Sequence, residues 1–68
     1  MRKIGNIHSA GHPELTIYYD EKATVNPFRV CLEWYEDGRR HRKQVNRYAD
    51  LLSCGIEMEK YTRMFNFE

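Results

Sequence analysis

Basic side chains are concentrated in one short stretch of this sequence. Between positions 39 and 47 the chain has five Lys or Arg residues and one His, and it has no Asp or Glu. Guanidinium and ammonium groups bind phosphate oxygens, and arginine and amide side chains also hydrogen-bond to base edges. The net charge of the whole chain is only +1, because acidic residues such as Glu57, Glu59 and Glu68 balance this stretch. The net charge therefore gives no argument for an anionic partner, but the distribution of charge predicts an electrically two-sided molecule.

The residues before the basic stretch predict that it forms the second strand of a β-hairpin. Positions 28–36 alternate apolar and polar residues with the period of a strand, and Asp37-Gly38 follows them. Asp-Gly is typical of a two-residue type I′ turn, whose central residues both need positive φ. We predict a second strand over about 39–46, in register with the first. The predicted opposed pairs are Tyr35–Arg40, Trp34–His41, Glu33–Arg42, Leu32–Lys43, Cys31–Gln44, Val30–Val45 and Arg29–Asn46.

This register predicts one apolar and one polar face. Trp34 is expected at the centre of the core, and Val45 is expected to join it opposite Val30. An antiparallel sheet commonly leaves its other face in water, so we expect that face to be open and the thiol of Cys31 to be accessible there. The predicted open face carries Thr16, Tyr18, Arg29, Cys31, Glu33, Tyr35, Arg40, Arg42, Gln44 and Asn46.

The remaining elements complete a small α+β domain. Residues 1–13 contain Gly5, Gly11 and Pro13 and are predicted to be a flexible N-terminal arm, and residues 14–68 are predicted to be a single domain. Positions 14–19 alternate as a strand. From about 47 to 65, apolar residues recur every three or four positions, as on one face of a helix. That stripe is Leu51, Cys54, Met58, Tyr61 and Phe65.

The predicted fold is therefore a three-stranded antiparallel sheet, in β-β-β-α order, packed on one C-terminal helix. This layout resembles that of the arm-type DNA-binding domains of tyrosine integrases. The resemblance concerns architecture, and no residue motif accompanies it. It implies binding of DNA through the sheet, and no residue role is transferred from that family.

Catalysis, metal binding and membrane insertion have little support in the sequence. His8 and His12 do not form a zinc-ligand pattern with Cys31 or Cys54, and no nucleophile elbow or glycine-rich phosphate loop occurs. We expect no enzymatic activity and no cofactor. No run of ~18 apolar residues exists for a membrane span, and the N-terminus lacks the apolar region of a secretory signal. We therefore expect a cytoplasmic protein with two free thiols and no membrane partner.

Two functional hypotheses remain open. In the first, the hairpin binds nucleic acid, most favourably DNA, with Arg40 and Arg42 as the main contacts. The surrounding contacts would be Arg29, Tyr35, Gln44 and Asn46, with Arg39, Lys43 and Arg47 along the edge. In the second, the protein is an interaction module, such as a regulator or inhibitor carried by a phage or mobile element, or a homodimer. Its partner would then bind a sheet edge or an apolar helix flank that includes Leu52 and Ile56.

Overall fold

A computed structural model describes residues 1–8 and 10–64. An antiparallel sheet packs against one C-terminal helix, which confirms the predicted α+β class. The elements are β1 (Arg2–Ile7), β2 (Glu14–Tyr19), β3 (Phe28–Glu36), β4 (Arg39–Tyr48) and α1 (Leu51–Met64). The sheet order is β1-β2-β3-β4, so each strand pairs with its neighbour in sequence. Phe65, predicted to lie in the helix, is outside the described residues, as is Glu68.

The sheet has four strands, so the predicted count of three was wrong. The extra strand, β1, comes from the segment predicted to be an N-terminal arm, and it pairs antiparallel with β2 from Arg2 opposite Tyr19 to Ile7 opposite Leu15. Its register shifts between Lys3 and Gly5. That irregularity hides the strand in the sequence, because the side chains of β1 do not keep a period of two across it.

The β3–β4 hairpin turns as predicted and then departs from the predicted register. Asp37 and Gly38 have φ values of 54° and 74°, as a type I′ turn requires. The predicted pairs from Tyr35–Arg40 to Cys31–Gln44 are present. A bulge then shifts the pairing, so that Val30 lies opposite Asn46. The predicted pairs Arg29–Asn46 and Val30–Val45 were therefore wrong, and Val45 is an exposed bulge residue instead of a core residue.

Helix α1 begins at Leu51 and not near position 47, because β4 continues to Tyr48. The Asp50 carboxylate accepts a hydrogen bond from the backbone N–H of Ser53 at 2.8 Å, which caps the first turn. At the other end of α1, the Tyr61 hydroxyl donates to the carbonyl of Pro13. No helix in the described part of the chain is both long enough and apolar enough to cross a membrane.

The hydrophobic core lies between α1 and the centre of the sheet. Its buried residues are Leu15, Ile17, Val30, Cys54 and Tyr61, with Ile7, Phe28, Leu32, Tyr48 and Met58 packed around them. Trp34 is only half-buried and lies outside this cluster, so its predicted central position was wrong. The reason is strand length: β2 begins at Glu14, opposite Glu33, and the hairpin beyond that pair projects past β2. Leu51, predicted to face the core, is exposed.

Candidate functional site

A single buried carboxylate organises the sheet face that points away from α1. Glu33 is 3% exposed, although no helix in the described part of the chain covers that face. Thr16 Oγ1 and Tyr18 OH, both on β2, donate hydrogen bonds to its two oxygens at 2.8 and 2.7 Å. Arg40 and Arg42, both on β4, donate to the same two oxygens at 2.9 Å each. The carboxylate therefore joins three neighbouring strands.

The two arginines cover the face that the sequence predicted to be open. The Arg42 guanidinium carbon lies 4.6 Å from the centroid of the Tyr18 ring, and its Nη2 is 3.2 Å from the Tyr18 hydroxyl. Thr16, Tyr18 and Cys31 are buried on this face. The prediction of an open face, with an accessible Cys31 thiol, was therefore wrong. The long aliphatic parts of arginine side chains can cover apolar and neutral surface while their charged ends stay in water. Here they cover one face of a small sheet.

Hydrogen bonding keeps the buried carboxylate ionised. Burial by itself would raise the pKa of Glu33, but the hydrogen bonds from Tyr18, Thr16, Arg42 and Arg40 outweigh it and lower that pKa to about 2. The same carboxylate raises the pKa of both arginines, chiefly through the hydrogen bonds that it accepts. Burial also raises the pKa of the Cys31 thiol, so the neighbouring arginines do not turn Cys31 into a reactive thiolate.

Strand pairing divides the predicted contact residues between the two sheet faces. Arg29, Tyr35, Arg40, Arg42, Gln44 and Arg47 lie at pairing positions on the Glu33 face, whereas Arg39, Lys43 and Asn46 lie at positions on the helix face. Asn46 was predicted on the open face, and the bulge moves it to the other side. There its amide donates to the Tyr48 hydroxyl at 2.9 Å. Tyr48 in turn donates to Glu57 at 2.6 Å, which raises the pKa of Tyr48 to about 12 and ties β4 to α1.

The basic residues of β3 and β4 differ in how far they are neutralised. Arg40 and Arg42 share one carboxylate, and Arg29 pairs with Asp20 at 2.6 Å. Arg39, Lys43 and Arg47 have no acidic partner among the described residues, and all three are exposed on the edge strand β4. Arg47 makes one long contact, 3.4 Å, to the carbonyl of Val25. Positive charge is therefore presented along the outer edge of the sheet.

The projecting end of the hairpin carries aromatic side chains, of which Trp34 was predicted to lie in the core and Tyr35 was predicted to contact nucleic acid. Trp34 stacks on His41, with ring centroids 5.7 Å apart and an angle of 16° between the ring planes. Tyr35 is 74% exposed. Trp34 and Tyr35 line a cleft of about 750 Å³, which is also lined by Gly11 to Pro13. The strand lengths could have predicted this projecting end from the sequence. Because β2 has six residues and β3 has nine, one end of the hairpin has no neighbouring strand.

A second surface feature lies between α1 and β1. It is an apolar groove of about 500 Å³, lined by Arg2, Ile4, Gly5, Ile17, Tyr19, Phe28, Leu51, Gly55 and Met58. Next to it on the helix, Leu52 is 79% exposed and Ile56 is half-exposed. A Cβ placed on Gly55 would meet no atom within 4 Å, so this glycine is not required for packing of the helix against the sheet.

The described residues contain no group of three or more His, Cys, Asp or Glu side chains arranged to hold a metal ion. His8 and His12 lie near one another, and the His8 ring nitrogen Nε2 is 3.1 Å from the His12 carbonyl oxygen.

Comparisons of this chain with protein-family models, with curated proteins and with solved structures find no match.

Proposed function

We propose that this protein is a non-enzymatic DNA-binding domain whose contact surface is the exposed strand β4 of the β3–β4 hairpin. One observation carries the proposal: Arg39, Lys43 and Arg47 are exposed on an edge strand and lack an acidic partner among the described residues. The strand extends roughly 25 Å between Arg39 and Arg47, from a rise of ~3.3 Å per residue. Cations spread over that length of an edge strand, with Arg39 and Lys43 towards one face and Arg47 towards the other, can contact the phosphates of a nucleic-acid backbone.

The Glu33 network supports this proposal in a way that the sequence did not suggest. Arg40 and Arg42 keep about half of their side-chain surface exposed while the buried carboxylate holds one side of each guanidinium. A guanidinium has five N–H donors, so each arginine retains donors for a phosphate or a base edge. Because Glu33 already orders both side chains, they lose less conformational entropy when they bind a ligand.

The network also decides which residues can be used as a test. Replacing Arg40 and Arg42 would remove two donors from buried Glu33 and would disturb the fold as well as any contact with DNA. Arg39 and Lys43 are better targets, because neither residue has an ion pair in the described structure. The double variant Arg39→Gln/Lys43→Gln removes two charges and keeps long polar side chains. A control, Lys60→Gln/Arg63→Gln, removes the same charge from the exposed surface of α1.

Binding to fluorescently labelled DNA of mixed sequence should be measured by anisotropy over a range of salt concentrations. We expect the affinity of the unmodified protein to fall steeply with salt, because every neutralised phosphate releases condensed counterions. In the hairpin variant, the slope of log K against log salt should become less negative by about 1.8 if both residues contact duplex phosphates. The helix control should keep the original slope.

Two results would reject the proposal. The first is the absence of any binding to DNA at low salt. The second is an equal loss of affinity in the hairpin variant and in the helix control, since attraction would then depend on net charge and not on β4.

The exposed helix flank supports a second candidate function, which is association with another copy of the chain. Leu52 and Ile56 are one helical turn apart and lie beside the apolar groove between α1 and β1. Exposed apolar patches of this kind are typical of protein interfaces. Analytical ultracentrifugation of the unmodified protein and of Leu52→Glu/Ile56→Glu would test this function. A dimer that this variant converts to a monomer, together with an absence of DNA binding, would favour it.

A further inference from the structure

The projecting end of the hairpin differs in chemistry from the rest of β4. Most of β4 presents exposed cations, whereas this end also holds the stacked rings of Trp34 and His41 and the exposed ring of Tyr35. Trp34 and Tyr35 point to opposite faces of the hairpin, because they are consecutive strand residues. Both nevertheless line the same cleft, since β2 begins only at Glu14, opposite Glu33, and leaves the end of the hairpin open on that side.

The charges around this cleft favour an anion. Lys3, Arg40 and Lys43 line it together with two carboxylates, Glu14 and Glu33. Both carboxylates already have partners within the protein. Glu14 accepts from Lys3 at 3.2 Å and also from Asn6, and Glu33 accepts its four hydrogen bonds. Lys43 has no acidic partner among the described residues, so its ammonium group remains available to a ligand.

Aromatic rings next to cations provide the two kinds of contact that bind a nucleotide. A base stacks on aromatic side chains, and the phosphates on either side of it bind Lys or Arg. A cleft of about 750 Å³ is also within the usual size range of small-molecule sites. In a duplex, however, each base is paired and stacked within the helix. An unpaired base enters such a cleft at the lowest cost, because a paired base must first be extruded from the helix, which costs about a few kcal/mol.

We infer that this cleft holds an unpaired base of a single-stranded nucleic acid, stacked against the Trp34 ring, with Lys43 and Arg40 on the adjacent phosphates. The inference rests on the proposed function, and it names the strand type and the site of base contact. In this arrangement the backbone of the single strand lies along β4, and its unpaired base is held at the end of the hairpin. This arrangement also gives a role to the one Trp of the chain, which lies outside the core.

Trp34 provides a direct measurement, because it is the sole tryptophan of the chain and its fluorescence reports on this cleft alone. Three probes should be titrated into the unmodified protein: a 12-nucleotide DNA strand without self-complementarity, the same strand annealed to its complement, and a polyglutamate peptide of equal charge. We expect the single strand to quench Trp34 emission and to bind at least about tenfold more tightly than the duplex, because stacking adds to the phosphate contacts.

A set of variants separates base stacking from general attraction, with affinities measured by anisotropy of the labelled strand. Trp34→Leu should weaken single-strand binding roughly 5- to 100-fold, the loss typical for one stacked base, and should change duplex binding less than about twofold. Trp34→Phe keeps an aromatic ring and should recover most of the affinity. Lys43→Gln should weaken binding of the single strand, whereas the matched control Lys60→Gln should not. Circular dichroism would verify that each variant is folded.

The outcomes separate this inference from the function on which it rests. Equal binding of single strand and duplex without a change in Trp34 emission would overturn the inference and leave DNA binding by β4 intact. Absence of binding to either DNA would overturn both. Polyglutamate that binds as tightly as the single strand and quenches Trp34 equally would overturn the inference in favour of an acidic protein partner. If Trp34→Leu does not fold, the emission of the unmodified protein and the affinity of Trp34→Phe still decide the result.

Discussion

Both faces of this sheet contain buried side chains, and different physical means bury them. Strand β2 illustrates the contrast, since four consecutive residues from Leu15 to Tyr18 are buried. Leu15 and Ile17 pack against α1 in an apolar core. Thr16 and Tyr18 lie on the other side, beneath two arginines that are held by Glu33. One face thus depends on a helix, and the other depends on a buried carboxylate.

The comparison shows how a chain of 68 residues can close both faces of a sheet with a single helix. A chain this short has a small core and limited stability, typically ~3–5 kcal/mol. No helix of the described residues packs on the far face. Long arginine side chains cover that face instead, and the carboxylate keeps them in place. The same arginines remain half-exposed, so this arrangement also prepares a surface for binding anions.

The largest expected effect comes from removing the carboxylate. Glu33→Ala would leave two arginines and two hydroxyls without their shared acceptor, and breaking such a buried pair typically costs about 3–5 kcal/mol. We expect this variant to be largely unfolded at room temperature. Glu36→Ala is the matched control, because Glu36 is an exposed acid on the same strand, and its effect should be below ~0.5 kcal/mol. Urea denaturation measures both. Equal stability of the two variants would show that the Glu33 face is not held by its carboxylate.

Acid should destabilise the Glu33 face selectively. The Glu33 pKa is lowered from 4.5 to about 2 in the folded protein, so its contribution to stability is complete above pH 4.5 and is lost as the pH falls towards 2. The lost free energy is about 3 kcal/mol, from 1.36 kcal/mol per unit of pKa. Denaturation curves between pH 6 and pH 2 would measure it. Glu33→Gln has no carboxyl group at this position, so most of that pH dependence should disappear in any folded fraction of this variant.

The two thiols are probes of the two faces, because Cys31 lies beside Glu33 and Cys54 lies in the apolar core. Both are free and buried. We expect a thiol reagent to label each one at least about 100-fold more slowly than an unfolded chain, since labelling requires opening of the structure. Mass spectrometry after digestion gives the rate at each site. Rapid labelling of Cys31 with slow labelling of Cys54 would mean that the arginine cover opens independently of the core.

The smallest expected effect concerns the helix that covers the apolar face. Gly55 lies inside α1, and an alanine Cβ would meet no neighbouring atom within 4 Å. Gly55→Ala should therefore raise the free energy of unfolding by about 0.5–1 kcal/mol, through helix propensity alone. Thermal denaturation would detect the change. A loss of stability would indicate that the backbone at position 55 is closer to its neighbours than the structure places it.

Part of the candidate site was predictable from neighbouring residues. The pairing of Glu33 with Arg42 and of Tyr35 with Arg40 follows from the Asp37-Gly38 turn. The burial of Glu33 was not predictable, because it depends on Thr16 and Tyr18 from another strand. The position of Asn46 was missed for a related reason. A bulge one residue long reverses the face of every residue beyond it, and the sequence near Val45 carries no mark of that bulge.

The sequence by itself determined the local elements: the type I′ turn, the alternation of β3, the apolar stripe from Cys54 to Tyr61 and the basic character of β4. Each depends on residues close together in the chain, where backbone sterics and side-chain period act directly. Tertiary structure alone decided that β1 joins the sheet, that Trp34 projects beyond it and that two arginines close its polar face. These outcomes depend on which strands become neighbours and on how far each extends past the next. Such long-range pairing is settled only when the whole chain packs, because burial and hydrogen bonding are then satisfied together.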